Sequence, residues 1–288
     1  MTAIAPGAAS SPDSTRQRVT HGGVGLAFVA DGAGAPGAPP VVLVHGVCDD
    51  LGVMAPLAAR MGGRHRTVRV DLRGHGASDA PAGDYSVATL AADVAAMCDH
   101  LAVRGAVVVG HSLGGAVAVQ LAASRPELVA ALVLLDGALL FRPEVAEGAA
   151  PLLEALHSPA WREALHAFVD TGFVDSDDPA VRADAHARVD GLTHHAMAGV
   201  LTAAGPWDAE PALRACRVPL LYVDSGAGLA DLERLAQLCP QLETGRTVGM
   251  GHNQMLASPA QVAAMIDRFM AVHAAALAAA PAQPAGRP

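Results

Sequence analysis

Aromatic side chains are scarce in this chain: phenylalanine, tryptophan and tyrosine make up 3% of its 288 residues. Basic residues are also few and unclustered, and the net charge of −9 argues against a nucleic-acid-binding surface. The four cysteines, Cys48, Cys98, Cys216 and Cys239, are widely spaced and form no C-x-x-C pair, which disfavours a zinc ribbon or a redox dithiol. We therefore expect neither a nucleic-acid partner nor a bound metal.

Long hydrophobic runs are absent as well. No stretch approaches the roughly 18 apolar residues of a membrane span, so no membrane partner is predicted. Residues 1–20 lack the charged segment and apolar core of a signal peptide, which together with the scattered cysteines predicts a cytoplasmic location. Residues 1–20 and 274–288 are rich in alanine and proline, and we expect both ends to be disordered.

Short apolar, β-branched runs alternate with longer amphipathic stretches through most of the chain. Continuous apolar runs of this length are typical of strands buried on both faces of a parallel sheet. The alternation predicts an α/β protein with a doubly wound, mostly parallel sheet. The predicted strands cover residues 24–29, 41–44, 67–70, 106–109, 131–135, 219–223 and 246–248.

One segment, residues 139–215, breaks this alternation because it contains no strand-like run. We interpret it as an all-helical cap inserted after the strand predicted over residues 131–135, which leaves residues 21–138 and 216–273 as the α/β core. Caps of this kind often control access of substrate. The expected cap helices cover about residues 143–157, 160–171, 179–190 and 194–204.

The most informative motif is Gly110-His111-Ser112-Leu113-Gly114. An apolar strand-like run precedes it and a helical stretch follows it. A serine flanked by small residues at such a junction is typical of a nucleophile elbow, in which a strained turn exposes the hydroxyl. Ser112 is therefore the candidate nucleophile.

A serine needs a base to remove its proton, and thirteen histidines are available. His252 follows the last predicted strand within Gly249-Met250-Gly251-His252, so it is the preferred base, although a simple loop histidine is the alternative. His111 is expected to pack beneath the elbow and is kept as a possible substrate contact. His194 and His195 lie in the predicted cap, where they either touch substrate or face solvent.

Together, His45-Gly46, the stretch from Asp71 to Ser78, the elbow and the late Gly251-His252 pair resemble the α/β-hydrolase fold superfamily over roughly residues 22–273. The resemblance implies a hydrolase without a cofactor. It also implies an oxyanion hole built from the backbone N–H groups of Val47 and Leu113. Two preorganised donors there would stabilise the oxyanion of a tetrahedral intermediate.

The third member of the triad departs from the common family pattern, which places an acid beyond the seventh strand. Here Asp224 lies at the end of that strand, and the following loop contains no carboxylate before Asp231, which begins the next helix. Asp136 directly follows the strand predicted over residues 131–135, which corresponds to the sixth strand of the family fold. Zearalenone-hydrolase-type lactonases and cofactor-free dioxygenases of this fold use that position for their acid. We prefer Asp136, with Asp224 and then Asp231 as alternatives.

These observations predict a cofactor-independent serine hydrolase that cleaves an ester or lactone of a small to medium apolar molecule through an acyl-enzyme on Ser112. Four cap residues are candidate substrate contacts: Trp161, Phe168, Met197 and Trp207. Alternatives are a carbon–carbon bond hydrolase, a cofactor-free dioxygenase and a slow-turnover ligand receptor. The oligomeric state stays open.

The residues after the oxyanion loop allow two interpretations. Cys48 is expected to fill space rather than to act as a second nucleophile. Asp49 and Asp50 either contact a polar group of the substrate or are simply solvated.

Overall fold

The structure, a computed structural model, describes residues 15–280. The predicted disorder of residues 1–14 and 281–288 therefore lies outside the described residues. Inside them, two parts of the disorder prediction are wrong. Residues Gln17–His21 form an edge strand, β1, and Ala274–Ala278 form a short helix with Leu277 buried. Backbone pairing orders the first segment and burial of one leucine anchors the second.

Eight strands form one sheet in the order β1-β2-β4-β3-β5-β6-β7-β8. The first two pairs in that order are antiparallel and all others are parallel, which confirms the predicted doubly wound, mostly parallel sheet. The strands are β1 Gln17–His21, β2 Val24–Asp31, β3 Val41–Val44, β4 Thr67–Val70, β5 Ala106–His111, β6 Val129–Leu135, β7 Leu220–Asp224 and β8 Leu242–Arg246.

The central strands are buried on both faces, as their continuous apolar sequences require. Every residue of β3, β5 and β6 is buried. Because successive side chains of a strand point to opposite faces, Val42 and Val44 join one hydrophobic cluster while Val41 and Leu43 join another. The sheet therefore separates two cores, each covered by helices.

The helices are α1 Ala55–Met61, α2 Val87–His100, α3 Leu113–Ser124, α4 Pro143–Gly148, α5 Ala150–Ala155, α6 Trp161–Asp170, α7 Pro179–Asp190, α8 His194–Ala204, α9 Glu210–Ala215, α10 Leu232–Leu238, α11 Gln254–Ala257, α12 Pro259–Val272 and α13 Ala274–Ala278. Helices α2 and α3 cover one face of the sheet, and α1 and α12 pack together on the other. Within residues 15–280, no helix is long and apolar enough to cross a membrane.

Some predicted boundaries differ from the structure. The last strand lies at Leu242–Arg246 and not at 246–248, and the long helix expected over 143–157 is two short helices, α4 and α5. Helix α9 was not predicted. The reason for the strand error is that β8 is a half-exposed edge strand with a polar sequence, which has no continuous apolar run.

Six helices, α4 to α9, occupy the chain between β6 and β7, and we call residues 139–215 the cap segment. It contacts the core loops at several points. A Cβ at Gly199 in α8 would lie 2.7 Å from the ring of Tyr85, and the His195 ring hydrogen-bonds the carbonyl of Ala80 at 2.8 Å. The cap segment also reaches the loop that carries His252, as described below.

Candidate active site

Ser112 lies at the sharp turn between β5 and α3, with φ of 50° and ψ of −119°. Such a backbone conformation costs about 1–3 kcal/mol in a residue other than glycine. The flanking glycines are required by space: a Cβ at Gly110 would lie 2.2 Å from the carbonyl oxygen of Gly114. A Cβ at Gly114 would lie 2.3 Å from the carbonyl oxygen of Val44. The turn therefore needs glycine at both positions.

Asp136 follows β6 directly and is fully buried. Its Oδ1 accepts a hydrogen bond from the backbone N–H of Ser225 at 2.8 Å. Its Oδ2 accepts from Ser225 Oγ at 2.5 Å and from His252 Nδ1 at 3.1 Å. Three donors thus fix the orientation of this carboxylate. Because His252 donates from Nδ1, its other nitrogen, Nε2, is available to accept a proton.

The electrostatics of this pair suit an acid–base partnership. Burial alone would raise the pKa of the Asp136 carboxyl, but hydrogen bonds from His252 and Ser225 hold that pKa below its usual value. Burial lowers the pKa of His252 below its usual value, the electrostatic interaction with His111 lowers it further, and Asp136 partly opposes both effects. His252 is therefore neutral near pH 7, as a general base must be.

The alternative acids lie elsewhere. Asp224 caps the turn after β7 by accepting from the N–H of Gly226 at 2.9 Å, and it lines a separate cavity of about 490 Å³. Asp231 is the N-cap of α10 and accepts from the N–H of Arg234 at 2.9 Å. Among the described residues, neither carboxylate contacts His252, so the structure brings Asp136 to the histidine and not its alternatives.

His111 connects the elbow to the histidine loop. Its Nε2 donates to the carbonyl oxygen of His252 at 3.0 Å, and the two rings lie 4.4 Å apart between centroids. This places His252 beside the residue that precedes Ser112. In the described part of the chain, Ser112 Oγ makes no hydrogen bond to the His252 ring. Hydrogen bonds between catalytic groups are often long or poorly aligned until substrate binds.

The loop after β3 lies against the elbow. A Cβ at Gly46 would be 3.1 Å from Ser112 Cβ, so a side chain at this position would press on the nucleophile. His45 holds the loop in place by accepting from the N–H of Leu72 at 3.1 Å. Val47, one predicted oxyanion donor, directly follows Gly46, and Leu113, the other, is the first residue of α3. Both predicted donors therefore directly follow a residue of the close Gly46–Ser112 approach.

The two residues directly after Val47 are buried. Cys48 has φ of 64° and is buried, and burial raises the pKa of its thiol, so it is not a ready nucleophile. Asp49 is buried too, with 8% of its surface exposed. Asp50 instead caps the following helical turn by accepting from the N–H of Gly52 at 2.7 Å.

The predicted substrate contacts of the cap differ in position. Met197 is fully buried in the core cluster, where it packs rather than faces an open space. Trp161, Phe168 and Trp207 are half-buried against the same cluster. His194 and Trp161 have rings 5.1 Å apart. Within residues 15–280 none of these side chains makes a hydrogen bond to Ser112, and their role in substrate binding stays a prediction.

A direct contact joins the cap segment to the histidine loop. The N–H of His252 donates to the carbonyl oxygen of Gly172, in the loop after α6, at 2.8 Å. A Cβ at Gly251 would lie 2.6 Å from that same oxygen. Sequence reasoning did not identify Gly172 or Ser225 as parts of the site. The signal for Ser225 was its place in the loop where relatives carry the acid.

Residues 39–259 match the family model of the alpha/beta hydrolase fold, and the chain belongs to this family. Among curated proteins it is similar to the 2-(acetamidomethylene)succinate hydrolase of Mesorhizobium japonicum, with 37% identity over 139 residues. That match covers 48% of this chain and 47% of the relative. The chain spans between about a third and a half of the length of the first curated relatives it matches.

Solved structures show the same fold. The crystal structure of E-2-(acetamidomethylene)succinate hydrolase matches with a TM-score of 0.72 and 26% identity, covering 90% of this chain and 99% of that one. The enol-lactonase from Burkholderia xenovorans LB400 matches with a TM-score of 0.78 and 24% identity, covering 88% of this chain and all of that one.

Proposed function

We propose that this protein is a serine hydrolase that needs no cofactor and cleaves an ester or lactone of a small to medium-sized molecule with an apolar body. Ser112 is the nucleophile, His252 the general base and Asp136 the acid of the triad. The observation that supports this best is the bond from His252 Nδ1 to Asp136 Oδ2, at 3.1 Å, beside a strained elbow. The family membership and the hydrolases among its relatives agree with it.

In the proposed reaction, His252 Nε2 takes the proton of Ser112 as Oγ bonds to the substrate carbonyl carbon. The N–H groups of Val47 and Leu113 donate to the resulting oxyanion. The protonated His252 then gives its proton to the leaving alkoxide, and the bond between the carbonyl carbon and that oxygen breaks. Water attacks the acyl-enzyme with His252 again as base, and the acid leaves as Ser112 recovers its proton.

Asp136 has a defined part in this scheme. It keeps the Nδ1 proton of His252 in place and stabilises the imidazolium that forms as Ser112 loses its proton. Ser225 in turn fixes Asp136 through two hydrogen bonds. The scarce aromatic side chains of the cap segment, Trp161 and Phe168 among them, are only partly buried and supply apolar surface for the body of such a substrate.

A panel of alkyl esters and lactones, followed by pH-stat titration, tests the proposal. We expect multiple turnovers by the wild type and a loss of at least 10³-fold with Ser112→Ala or His252→Gln. Arg182→Gln, an exposed change in the cap segment, is the matched control. Turnover that survives Ser112→Ala would refute a serine mechanism. Oxygen uptake with no hydrolysis would instead point to the dioxygenase alternative.

A further inference from the structure

Arg188, on α7 of the cap segment, carries a buried guanidinium edge that lacks a partner. Its Nε and Nη2 atoms are buried, and neither makes a hydrogen bond. These two nitrogens share one edge of the guanidinium, the edge that binds a carboxylate side-on through two parallel N–H···O bonds. A buried donor without an acceptor costs free energy, so this edge requires an explanation.

The same chain shows what a filled edge looks like. Arg73 uses Nε and Nη2 to bind both oxygens of Asp93, at 2.5 and 2.8 Å. In contrast, the nearest carboxylate oxygen to Arg188 is Asp49 Oδ1, 3.5 Å from Nε, and Nη2 faces no acceptor within the described residues. Asp49 therefore lies close to the guanidinium but accepts no hydrogen bond from its Nε–Nη2 edge.

Asp49 also lies close to a histidine on its other side. Its Oδ2 lies 3.6 Å from His111 Nδ1, which is also buried without a hydrogen bond. Burial alone would raise the pKa of Asp49, but His111 and Arg188 together hold it below its usual value, and His45 adds a smaller effect in the same direction. The Asp49 carboxylate is thus ionised beside Arg188, and the Nε–Nη2 edge of Arg188 still lacks a hydrogen-bond acceptor.

This edge lies at the proposed active site. A Cβ at Gly46 would be 3.1 Å from Ser112 Cβ and 3.2 Å from Asp49 Oδ2, so the nucleophile and Asp49 flank one point of the oxyanion loop. Arg188 approaches the other oxygen of Asp49, Oδ1, from the cap segment. A molecule held between the cap segment and Ser112 would meet the guanidinium.

We propose that the Nε–Nη2 edge of Arg188 binds a carboxylate of the substrate. This inference rests on the hydrolase function proposed above and narrows its substrate class to esters or lactones that carry a carboxylate away from the scissile bond. A carboxylate satisfies both donors with one group, which a single carbonyl oxygen does less well. The apolar body of such a substrate would lie against the cap segment.

A pair of esters that differ at one terminal group tests this substrate class. Methyl butanoate and monomethyl succinate differ only by a terminal methyl or carboxylate group, and both are followed by pH-stat. We expect the wild type to prefer monomethyl succinate in kcat/KM. Arg188→Gln should lower the ratio of the two kcat/KM values about 10- to 100-fold, as expected for the loss of a charge-assisted pair. Arg188→Lys should lower it less.

Arg182→Gln is the matched control, because Arg182 lies on the same helix, is half-exposed and stands 3.8 Å from Asp170. It should leave the ratio unchanged. If Arg188 merely holds the cap segment to Asp49, then Arg188→Gln and Asp49→Asn will lower kcat/KM for both esters by the same factor. That result would overturn the inference and leave the hydrolase function intact.

Binding separates the two proposals further. Calorimetric titration of Ser112→Ala with monomethyl succinate needs no turnover. We expect binding at least tenfold tighter than in the Ser112→Ala, Arg188→Gln double variant. Equal affinity in both proteins would refute the carboxylate site. Tight, Arg188-dependent binding without hydrolysis of any ester by the wild type would refute the hydrolase function alone.

Discussion

Replacing Asp136 with asparagine should disable His252 by forcing it into the wrong tautomer. The backbone N–H of Ser225 donates to Oδ1 of Asp136, so an asparagine must keep its oxygen there and place its NH₂ group at the Oδ2 position. That NH₂ group would face His252 Nδ1, 3.1 Å away in the native protein. Two donors cannot face each other, so Nδ1 becomes the acceptor and Nε2 carries the proton. A protonated Nε2 cannot deprotonate Ser112.

The expected loss is about 10⁴-fold, the magnitude of a tautomer defect in a serine triad, which corresponds to about 5.5 kcal/mol of transition-state stabilisation. The assay is the second-order rate constant for labelling by a neutral fluorophosphonate at pH 8, since it needs no knowledge of the natural substrate. Asp224→Asn is the matched control and should stay within about twofold, because Asp224 serves a turn. A value for Asp136→Asn within tenfold of the wild type, or an equal loss with Asp224→Asn, would refute this reasoning.

Three further outcomes are expected. His111→Gln should move the acid limb of the kcat/KM profile to higher pH, because the electrostatic interaction with His111 lowers the pKa of His252, and an unmoved limb would contradict this role. Gly114→Ala should lower the free energy of unfolding by about 3 kcal/mol because its Cβ would lie 2.3 Å from a main-chain carbonyl oxygen of β3. Gly148→Ala, with open space around it, is the control in the same denaturant titration. Burial lowers the pKa of His75 to about 3 in the folded protein. Below pH 6.5 the unfolded chain binds a proton at this histidine and the folded protein does not, so the free energy of unfolding falls as the pH drops. His75→Gln should remove about 2 kcal/mol of the stability difference between pH 7 and pH 5, measured by urea unfolding at both pH values.

The central part of the fold was predictable because buried parallel strands have continuous apolar sequences. The predicted strands at 41–44 and 67–70 coincide with β3 and β4. The two edge strands were not predictable in the same way. β1 and β8 are largely polar and half-exposed, since an edge strand is not covered on both sides, so periodicity alone missed one and displaced the other.

The candidate site was predictable where a motif requires a backbone conformation, and not where distant segments meet. The glycines around Ser112 indicated a strained turn, and the structure has φ of 50° there. Ser225 and Arg188 lie 113 and 76 residues from Ser112 in sequence, and no motif marks either of them as a partner of the site. Their relation to Asp136 and Asp49 arises only from the packing of β7 beside β6 and of the cap segment on the core.

The most direct measurement of the central claim is the intact mass of the protein after incubation with a fluorophosphonate, for the wild type and for Ser112→Ala. A serine that His252 and Asp136 activate predicts one adduct on the wild type, mapped to Ser112 by peptide analysis, and none on the variant. A wild type that stays unlabelled, or an adduct of equal yield on Ser112→Ala, would contradict the account.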